Sequence, residues 1–582
     1  TAQRPPDGDE PWYLLLTHSI ASDGDIDLAD EYAGDDSLRY GPRRLEPQPG
    51  DPVGEGGARY SRHNVLLPLV LAPAYRVAGL HGALATMALL AAVTAWQALL
   101  LMGRLFPRSR RGRRAAWAIL AFAPPLLLYS YQVWVEVPAA LLTVLAVRAL
   151  LAGRPRPRGT LQWIGILAPI VLLPLLKLRF VLVAAGLAAA AAVRIRPSAR
   201  QLLALAGVGA GFAVTLLVVN AVVFDDPLKG RSWDVLQIWA KPPAAFARGL
   251  AGIFFDASFG LIPAAPIWLL LAPATVAVFR RHRRLLGYGL LIGAPYLAFV
   301  VADAAWYGGW CPPFRYPLLF LPLLATLLVP LLDPPPGAGA KTLLWALLLP
   351  TVALAVLWVT VPGWTYNHAL GRSHLIDHLS NMVGADVSRF TPSYFRPRLA
   401  SWLWPLLAVP GAFALWQVRG RRLRRLAFLG AAVAVAALPV AMFAAQRLPT
   451  RVLELEDPVG RRGDGPLFPH RWEPTRTAYP GSWRIWDGDR VSWRLVPGSD
   501  RFDLELTLYF SHRCESAAIE LAADDTPLAS VPLTEPWRWR TVTVEGLSWP
   551  DGATSLGIGL VVEGDGVEGS DLILDRARLL WR

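Results

Sequence analysis

LHGALATMALLAAVTAWQALLLMGRLFPRSRRGRR, residues 80–114, is the stretch that decides the fold class of this chain. It begins with a run of about two dozen mostly apolar residues, long enough to cross the ~30 Å hydrocarbon core of a bilayer as a helix. The arginines that follow, from Arg104 to Arg114, are typical of a cytoplasmic loop. This stretch therefore predicts a membrane-spanning helix whose C-terminal end lies at the cytoplasmic side.

The same pattern recurs along most of the chain. Of its 582 residues, 54% are hydrophobic and 17% are charged, which excludes an ordinary soluble globular protein. We predict an all-α polytopic membrane protein, in which the short, proline-broken stretch 65–79 is interfacial or re-entrant. The predicted spans, about twelve in number, lie near 80–103, 115–131, 137–152, 160–176, 180–193, 201–224, 259–279, 285–302, 315–332, 342–361, 401–417 and 425–445.

Arginine clusters predict the orientation of these spans. All of them fall on one side of the membrane when the predicted spans are followed in order, and the positive-inside rule makes that side cytoplasmic. This distribution accounts for the formal net charge of +13, so we predict no nucleic-acid binding. Because residue 1 then starts outside with no anchor, we expect one further span before it. The arginine clusters other than Arg104–Arg114 are Arg154–Arg158, Arg194–Arg200, Arg280–Arg284 and Arg419–Arg425.

The residues after about 450 follow a different pattern. Apolar and polar residues alternate from Phe502 to Phe510 and again from Leu556 to Leu560. Alternation with a period of two, interrupted by Gly, Pro and Asp, predicts an antiparallel β-sandwich. Its last segment, DLILDRARLLW, resembles the final strand of jelly-roll, galactose-binding-like modules, so this part is either a structural cap or a sugar- or polymer-binding module. The predicted domains are an exterior acidic loop with interfacial helices (1–79), a membrane domain (80–445) and an exterior β-sandwich (446–582).

Three carboxylates lie at predicted exterior ends of apolar segments. Asp9 and Glu10 stand side by side in GDEPWYL, and Glu136 follows Trp134 and Val135 where a predicted span begins. Ionisable groups next to a membrane domain are costly to place and are usually functional. A buried Glu136 would require a cation or a substrate beside it, whereas Asp9 and Glu10 could also be a solvated loop pair.

Basic and aromatic residues also lie on the predicted exterior side. Lys177 and Arg179 form an isolated basic pair between apolar stretches, and Arg315 follows an aromatic segment with a Gly pair and a Pro pair. The basic residues could extend to the interface or bind a lipid-borne phosphate. The aromatic residues could form an interfacial belt or stack on a sugar ring. The candidate sugar- or acceptor-binding residues are Tyr307, Trp310, Asp256 and His63.

The acidic stretch SDGDIDLADEY (22–32) resembles a calcium-binding loop in its aspartate spacing. It lacks the glycine at the sixth position and the distal glutamate of an EF-hand. We therefore interpret it as a polar exterior segment. Elsewhere in the sequence, no His, Cys or Asp cluster has metal-ligand spacing, so no metal site and no cofactor are predicted.

Five motifs, in the order in which they occur along the chain, resemble those of the GT-C membrane glycosyltransferases. The most similar members are bacterial enzymes like the protein mannosyltransferases and aminoarabinose transferases. This resemblance, over about residues 1–445, implies a polyprenyl-phosphate-linked sugar donor, a glycan, lipid or protein acceptor, contact with membrane lipids, and a site on the exterior face of a bacterial inner membrane. The chain departs from the protein mannosyltransferases because it has no evident MIR domain. The motifs are GDEPWYLLLTHSI (8–20), VEVPAALL (135–142), KLRF (177–180), FGLIPAAPIW (259–268) and WYGGWCPPFRYPLLFLP (306–322).

Transfer from a polyprenyl phosphate needs a base for the acceptor and cations for the departing phosphate, which gives the candidate residues roles. Asp9 would be the base for the acceptor hydroxyl, Glu10 would orient a substrate, and Glu136 would bind sugar hydroxyls or assist the base. The three cations Lys177, Arg179 and Arg315 would hold the departing phosphate. Direct displacement would invert the anomeric centre. Some relatives bind a divalent metal, which this sequence does not support.

Two other classes of function remain open. A transporter or flippase for lipid-linked saccharides would share polar residues near the membrane but would be expected to show internal repeats, and no clear repeat is found. A polymerase or ligase of lipid-linked saccharides would use a diphosphate carrier and mostly arginine-based loops. The adjacent acids Asp9 and Glu10 favour the monophosphate donor.

Overall fold

A computed structural model gives the fold. It describes residues 6–40, 57–151, 160–224, 241–303, 305–333, 337–366 and 399–417, shorter stretches between 45 and 54 and between 373 and 395, and the strands between Thr450 and Trp581. The chain forms two compact units, one of residues 1–365 and 403–425 and one of residues 366–402 and 426–582. The predicted boundary at 446 lies outside the described residues.

The first unit is helical, as the sequence predicts. Short 3₁₀ turns at Asp36–Tyr40, Leu178–Phe180, Pro266–Leu270, Tyr316–Phe320 and Pro362–Thr365 connect several helices. Helices α1–α15 are, in chain order, Glu10–Ser22, Ala29–Ala33, Leu66–Leu105, Arg110–Phe122, Leu126–Tyr129, Glu136–Leu151, Thr160–Leu176, Val181–Ile195, Ala199–Phe224, Pro243–Phe255, Leu261–Ala264, Leu271–Ala302, Leu321–Leu332, Ala338–Thr360 and Leu399–Gln417.

Four helical segments among the described residues are long and apolar enough to cross a membrane, which does not support the predicted count of about twelve. Several predicted spans are too short. Helix α4 has 13 residues, so it rises only about 20 Å, well under the ~30 Å hydrocarbon core. The predicted span 315–332 corresponds to the shorter apolar helical segment Tyr316–Leu332. The predicted span 425–445 lies outside the described residues. The four segments are Leu66–Leu105, Leu178–Ile195, Pro266–Ala302 and Ala338–Thr360.

Two of these helices are kinked where the sequence predicts a boundary. In α3, Ala78 and Gly79 leave the helical conformation, and Gly79 has φ +56°, which favours glycine because it lacks Cβ. The predicted interfacial stretch 65–79 is therefore the first arm of a long bent helix. In α12, the predicted arginine loop Arg280–Arg284 lies within the helix, which departs from helical geometry at His282.

The second unit contains two antiparallel sheets, as the alternating pattern predicts. One has the order β1-β9-β4-β7 with β2 also paired to β9, and the other has the order β3-β8-β5-β6. Phe502, Leu504, Leu506 and Leu508 of β4 are buried with Ile519, Leu556 and Ile558 of the other sheet in one apolar core. Strands β1–β9 are Thr450–Glu454, Trp483–Trp486, Arg490–Arg494, Arg501–Ser511, Ser516–Ala523, Thr526–Pro532, Arg538–Ser548, Ser555–Glu563 and Asp571–Trp581.

Candidate functional site

Five predicted charged residues lie at the ends of helices, and their side chains form one network, which we call the charge cluster. Asp9 is the N-cap of α1, and Glu136 is the first residue of α6. Lys177 and Arg179 lie between α7 and α8, and Arg315 precedes the 3₁₀ turn that leads into α13. Helix packing therefore joins residues separated by up to 306 positions.

Arg315 is the centre of the charge cluster. Its Nη2 donates to Asp9 Oδ2, its Nε donates to Glu136 Oε1 at 3.3 Å, and its Nη1 donates to the Gly308 carbonyl at 2.6 Å. The guanidinium also stacks over Trp134, 4.0 Å from the ring centroid. Because the side chain is only 4% exposed, these contacts replace water and fix the charge in place.

The other two cations contact the same acids. Lys177 Nζ lies 3.5 Å from Asp9 Oδ2, and Arg179 Nη2 donates to Glu136 Oε1. Arg179 also stacks on Tyr316, 4.0 Å from the ring centroid. The cluster therefore holds three basic groups against two carboxylates, one basic group in excess.

The two acids of the cluster differ in accessibility. The Glu136 side chain is fully buried, and its Oε2 has no hydrogen-bond partner among the described residues. The Asp9 side chain is 24% exposed. A molecule that approaches the cluster can therefore reach Asp9. Glu136 lies in the interior and stabilises Arg179 and Arg315.

Electrostatics keep Asp9 ionised. Burial by itself would raise its pKa, but the charges of Arg315 and Lys177 hold the pKa of this carboxyl well below its usual range. Burial, together with the neighbouring Arg179, lowers the pKa of Lys177 well below its usual range. Since both acids of the cluster face arginine or lysine, their arrangement does not fit a divalent metal.

Glu10 has a different environment from Asp9. Its Oε1 accepts a hydrogen bond from the Val133 amide at 2.7 Å, and its Oε2 accepts one from the Asp7 amide at 3.1 Å. These contacts join the start of α1 to the loop before α6. In the structure, the Glu10 carboxylate accepts hydrogen bonds from two backbone amides. Its role in orienting a substrate stays a prediction.

Asp7 is a buried acid that the sequence analysis did not identify. Its Oδ2 accepts a hydrogen bond from Trp310 Nε1 at 2.8 Å, and its Oδ1 accepts one from the Gly8 amide at 2.7 Å. Gly8 has φ +60°, and a Cβ there would lie 2.5 Å from the Trp310 carbonyl oxygen. In the sequence, the adjacent residues Asp7 and Gly8 of DGDE were the feature that could have indicated this close packing.

The loop before α13 has the non-helical shape that its glycine and proline pairs predict. Gly308 and Gly309 both have positive φ, and a Cβ on Gly308 would lie 3.0 Å from the Cβ of Arg315. The Phe314 amide donates to the Phe259 carbonyl at 3.0 Å. This loop therefore delivers Arg315 to the cluster from a fixed backbone.

The remaining predicted residues contact other parts of the same unit. Trp310 binds Asp7, as described, and the Tyr307 ring lies 5.2 Å from the ring of Phe259. Asp256 Oδ1 accepts hydrogen bonds from the Ser258 amide at 2.9 Å and the Phe259 amide at 3.2 Å. Asp256 therefore shapes the turn that supports the Arg315 loop, and its predicted sugar contact stays a prediction.

His63 is buried next to the cluster. Its ring packs on Tyr13 at 4.4 Å between centroids, and its amide donates to Ser61 Oγ at 3.1 Å. Burial lowers the pKa of His63 well below its usual range, although the charge of Asp9 acts in the opposite direction. The folded protein therefore holds this imidazole neutral at a pH where the unfolded chain would begin to protonate it.

We expect the free energy of unfolding to fall as the pH falls, because His63 must then be protonated. Its pKa is depressed in the folded state, so its contribution is complete above the unfolded pKa of about 6.5 and is lost as pH falls below it. The slope approaches about 1.4 kcal/mol per pH unit. Thermal unfolding in detergent between pH 7.5 and 5 should show a shallower slope for His63→Gln than for the exposed control His81→Gln. Equal slopes would contradict the prediction.

No family model matches the chain, and no curated protein matches it. One solved structure similar to part of it is the CBM36-1 domain of a multidomain xylanase from the hindgut metagenome of Trinervitermes trinervoides. The two are 15% identical, the match covers 22% of this chain and 95% of that domain, and the TM-score is 0.18. At that TM-score, the likeness carries no functional argument.

Proposed function

We propose that this chain is an integral membrane glycosyltransferase. It moves a sugar from a polyprenyl-phosphate carrier to a hydroxyl acceptor at the exterior face of a bacterial inner membrane, with inversion at the anomeric carbon. The observation that carries this proposal is the contact of Arg315 and Lys177 with Asp9, the partly exposed acid of the charge cluster. It puts a candidate base and candidate phosphate ligands next to one another.

The proposed reaction requires both kinds of group. The acceptor oxygen attacks the anomeric carbon, the bond from that carbon to the phosphate oxygen breaks, and the acceptor proton passes to Asp9. The electron pair leaves with the phosphate, which gains one negative charge as a monoester. Lys177, Arg179 and Arg315 would stabilise that charge in a site with little water. The carrier is a good leaving group, so no strong general acid is needed.

Donor binding would also prepare the base. Arg315 and Lys177 hold the pKa of Asp9 low because both contact its carboxylate. A phosphate that drew either cation away would weaken that effect and raise the pKa of Asp9. The carboxylate would then accept a proton more readily when the donor is present than when it is absent.

An apolar cavity in the same unit supports a lipid-linked donor. It has a volume of about 660 Å³, and Arg111, Leu127 and Thr360 are among the residues that line it. Tyr129, two residues beyond Leu127, donates from its hydroxyl to the Pro312 carbonyl at 2.7 Å in the Arg315 loop. A polyprenyl chain is a suitable occupant because the walls are aliphatic and aromatic.

The proposed function can be tested in cells with and without the gene. We expect mass spectrometry to show accumulation of one sugar-loaded polyprenyl phosphate in the deletion strain and loss of that sugar from surface glycans. The purified protein should transfer the same sugar in detergent. Unchanged lipid-linked sugars and unchanged glycans would reject the proposal. Accumulation confined to the cytoplasmic leaflet, without transfer by the purified protein, would favour a flippase.

Lys177→Met is expected to weaken donor binding about tenfold, because one charge-assisted contact to phosphate contributes roughly 1.5–3 kcal/mol. Anion binding should raise the lowered pKa of Lys177. Wild-type affinity is then full below the free-state pKa and falls as pH rises through it. Binding of a short-chain polyprenyl-phosphate sugar, measured across a series of pH values, tests this effect. The exposed lysine Lys341, replaced by Met, is the matched control, and equal affinity in both variants would contradict the assignment.

A further inference from the structure

A second group of acids lies in the segment that follows α1. Asp23 is the C-cap of α1, and Asp30 and Glu31 lie in the first turn of α2. Each offers a carboxylate oxygen, and these three oxygens all lie within 4.8 Å of one another. We call this group the acidic triad. It is separate from the charge cluster, because none of its members contacts those five side chains in the described part of the chain.

The other aspartates of this segment are used to fold it. Asp25 Oδ1 accepts hydrogen bonds from Ser19 Oγ at 3.0 Å and from the Asp27 amide at 3.1 Å. Asp27 Oδ1 accepts hydrogen bonds from the Ala29 amide at 3.0 Å and from the Arg59 amide at 2.7 Å. These contacts turn the chain so that Asp30 and Glu31 return to Asp23.

Glu31 is the observation that points to a ligand. Glu31 is 1% exposed. Neither of its carboxylate oxygens has a hydrogen-bond partner within 3.5 Å among the described residues, although the side chains of Ser19 and Asp30 lie near this carboxyl. A buried carboxylate without a donor is strongly destabilising unless it binds a cation or a proton. Of the described basic side chains in this segment, His18 and Arg39 both pair with Asp36.

We propose that Asp23, Asp30 and Glu31 bind a hard divalent cation, and specifically calcium. The triad offers carboxylate oxygens without nitrogen or sulfur ligands, which is the donor set that calcium prefers. Two of the three acids are exposed, so water can complete a shell of about six to eight oxygens. Ligands at positions 23, 30 and 31 do not follow EF-hand spacing, which is why the sequence pattern led to the opposite expectation.

The ion would stabilise the element that carries the candidate base. Asp23 ends α1, and Asp9 begins it. Calcium bound between Asp23 and α2 would fix the far end of this helix to the folded segment that follows. The competing state is a proton on Glu31, because burial raises the pKa of this carboxyl to about 8. The two states differ in whether stability responds to calcium.

The test uses the full chain in detergent, stripped with a chelator and titrated with CaCl₂ and separately with MgCl₂ by calorimetry. We expect one calcium site in the wild type and in Asp551→Asn, a change at an exposed acid of the second unit. Asp23→Asn and Glu31→Gln should each weaken it at least about tenfold. Because Asp23 is exposed, its variant tests the site even where Glu31→Gln unfolds. Calcium should also raise the unfolding temperature of the wild type and of Asp551→Asn. It should not raise the unfolding temperature of Asp23→Asn or Glu31→Gln.

Three results would overturn the proposal. One is the absence of calcium binding at millimolar concentration, together with an unfolding temperature that calcium does not change. In that case Glu31 holds a proton. Another is equal calcium binding by wild type, Asp23→Asn and Glu31→Gln, which would place the ion elsewhere in the chain. The third is tighter binding of magnesium than of calcium, which would overturn the assignment to calcium.

Discussion

Asp9→Asn is expected to transfer sugar about 10²–10⁴-fold more slowly than wild type, which is the usual loss when a general base is removed. Asparagine keeps the size of the side chain but cannot accept a proton at neutral pH. Donor binding should survive, because the change removes the negative charge that competes with phosphate for Arg315 and Lys177. The prediction is therefore a large fall in kcat with an unchanged or lower donor Kd.

A transfer assay with purified protein, combined with an independent donor-binding measurement, separates these two effects. The pH profile gives a further check. Since the pKa of Asp9 is held low in the donor-free protein, kcat/KM for the donor should persist to acidic pH and be lost only as pH falls through that pKa. Near-wild-type transfer by Asp9→Asn would remove Asp9 as the base. Weakened donor binding would instead indicate a disturbed charge cluster.

Glu10→Gln provides the matched comparison next to Asp9. Both Glu10 oxygens accept backbone amide hydrogen bonds, and the amide group of glutamine would place a donor against one of these donors. We expect a stability loss of about 1–3 kcal/mol, the usual effect of leaving a buried donor unsatisfied. The rate of transfer per folded molecule should be less affected than in Asp9→Asn. A rate loss as large as that of Asp9→Asn would show that Glu10 acts in the reaction.

Arg315→Met should destabilise the helical unit by about 3–5 kcal/mol, the range measured when one partner of a buried ion pair is removed. Methionine has similar length, so the loss reports charge more than volume. Without the guanidinium, the fully buried Glu136 retains Arg179, and Asp9 retains only the 3.5 Å contact with Lys177 among the described ion pairs. Donor binding should weaken in the same variant, because one candidate phosphate ligand is gone.

Thermal or denaturant unfolding in detergent measures the first effect. Arg200→Met, at an exposed arginine, is the control and should change stability by no more than about 0.5 kcal/mol. The double variant Arg315→Met, Glu136→Gln should recover part of the loss, since it removes the acid that was left with fewer partners. Independent, additive losses in the two single variants would show that Arg315 and Glu136 are not coupled.

The sequence identified the members of the charge cluster but not their pairing. Asp9, Glu136, Lys177, Arg179 and Arg315 were recognisable because each is an ionisable residue in an apolar context. Which acid meets which base depends on how distant helix ends pack together. Arg315 and Asp9 are 306 positions apart, and no local pattern encodes that contact.

The sequence was less informative about helix lengths and about the contacts that individual acidic residues make. Hydropathy could not distinguish a full span from a shorter apolar helix such as α4, or show that α12 continues through its arginines with a kink at His282. The sequence also presented Asp9 and Glu10 as one acidic pair and did not show that their carboxylates contact different partners. In the acidic segment, spacing alone excluded calcium, while the fold brings Asp23 and Glu31 together by a route that spacing does not describe.

The order in which the cluster is synthesised has a consequence for biogenesis. The residues up to Arg179 already contain two matched pairs, Asp9 with Lys177 and Glu136 with Arg179. A nascent chain can therefore pack its early helices as a neutral set. Arg315 emerges from the ribosome well over a hundred residues later and brings the surplus positive charge. A fragment that ends before that point would contain two basic groups and two carboxylates of the cluster, without the additional charge of Arg315.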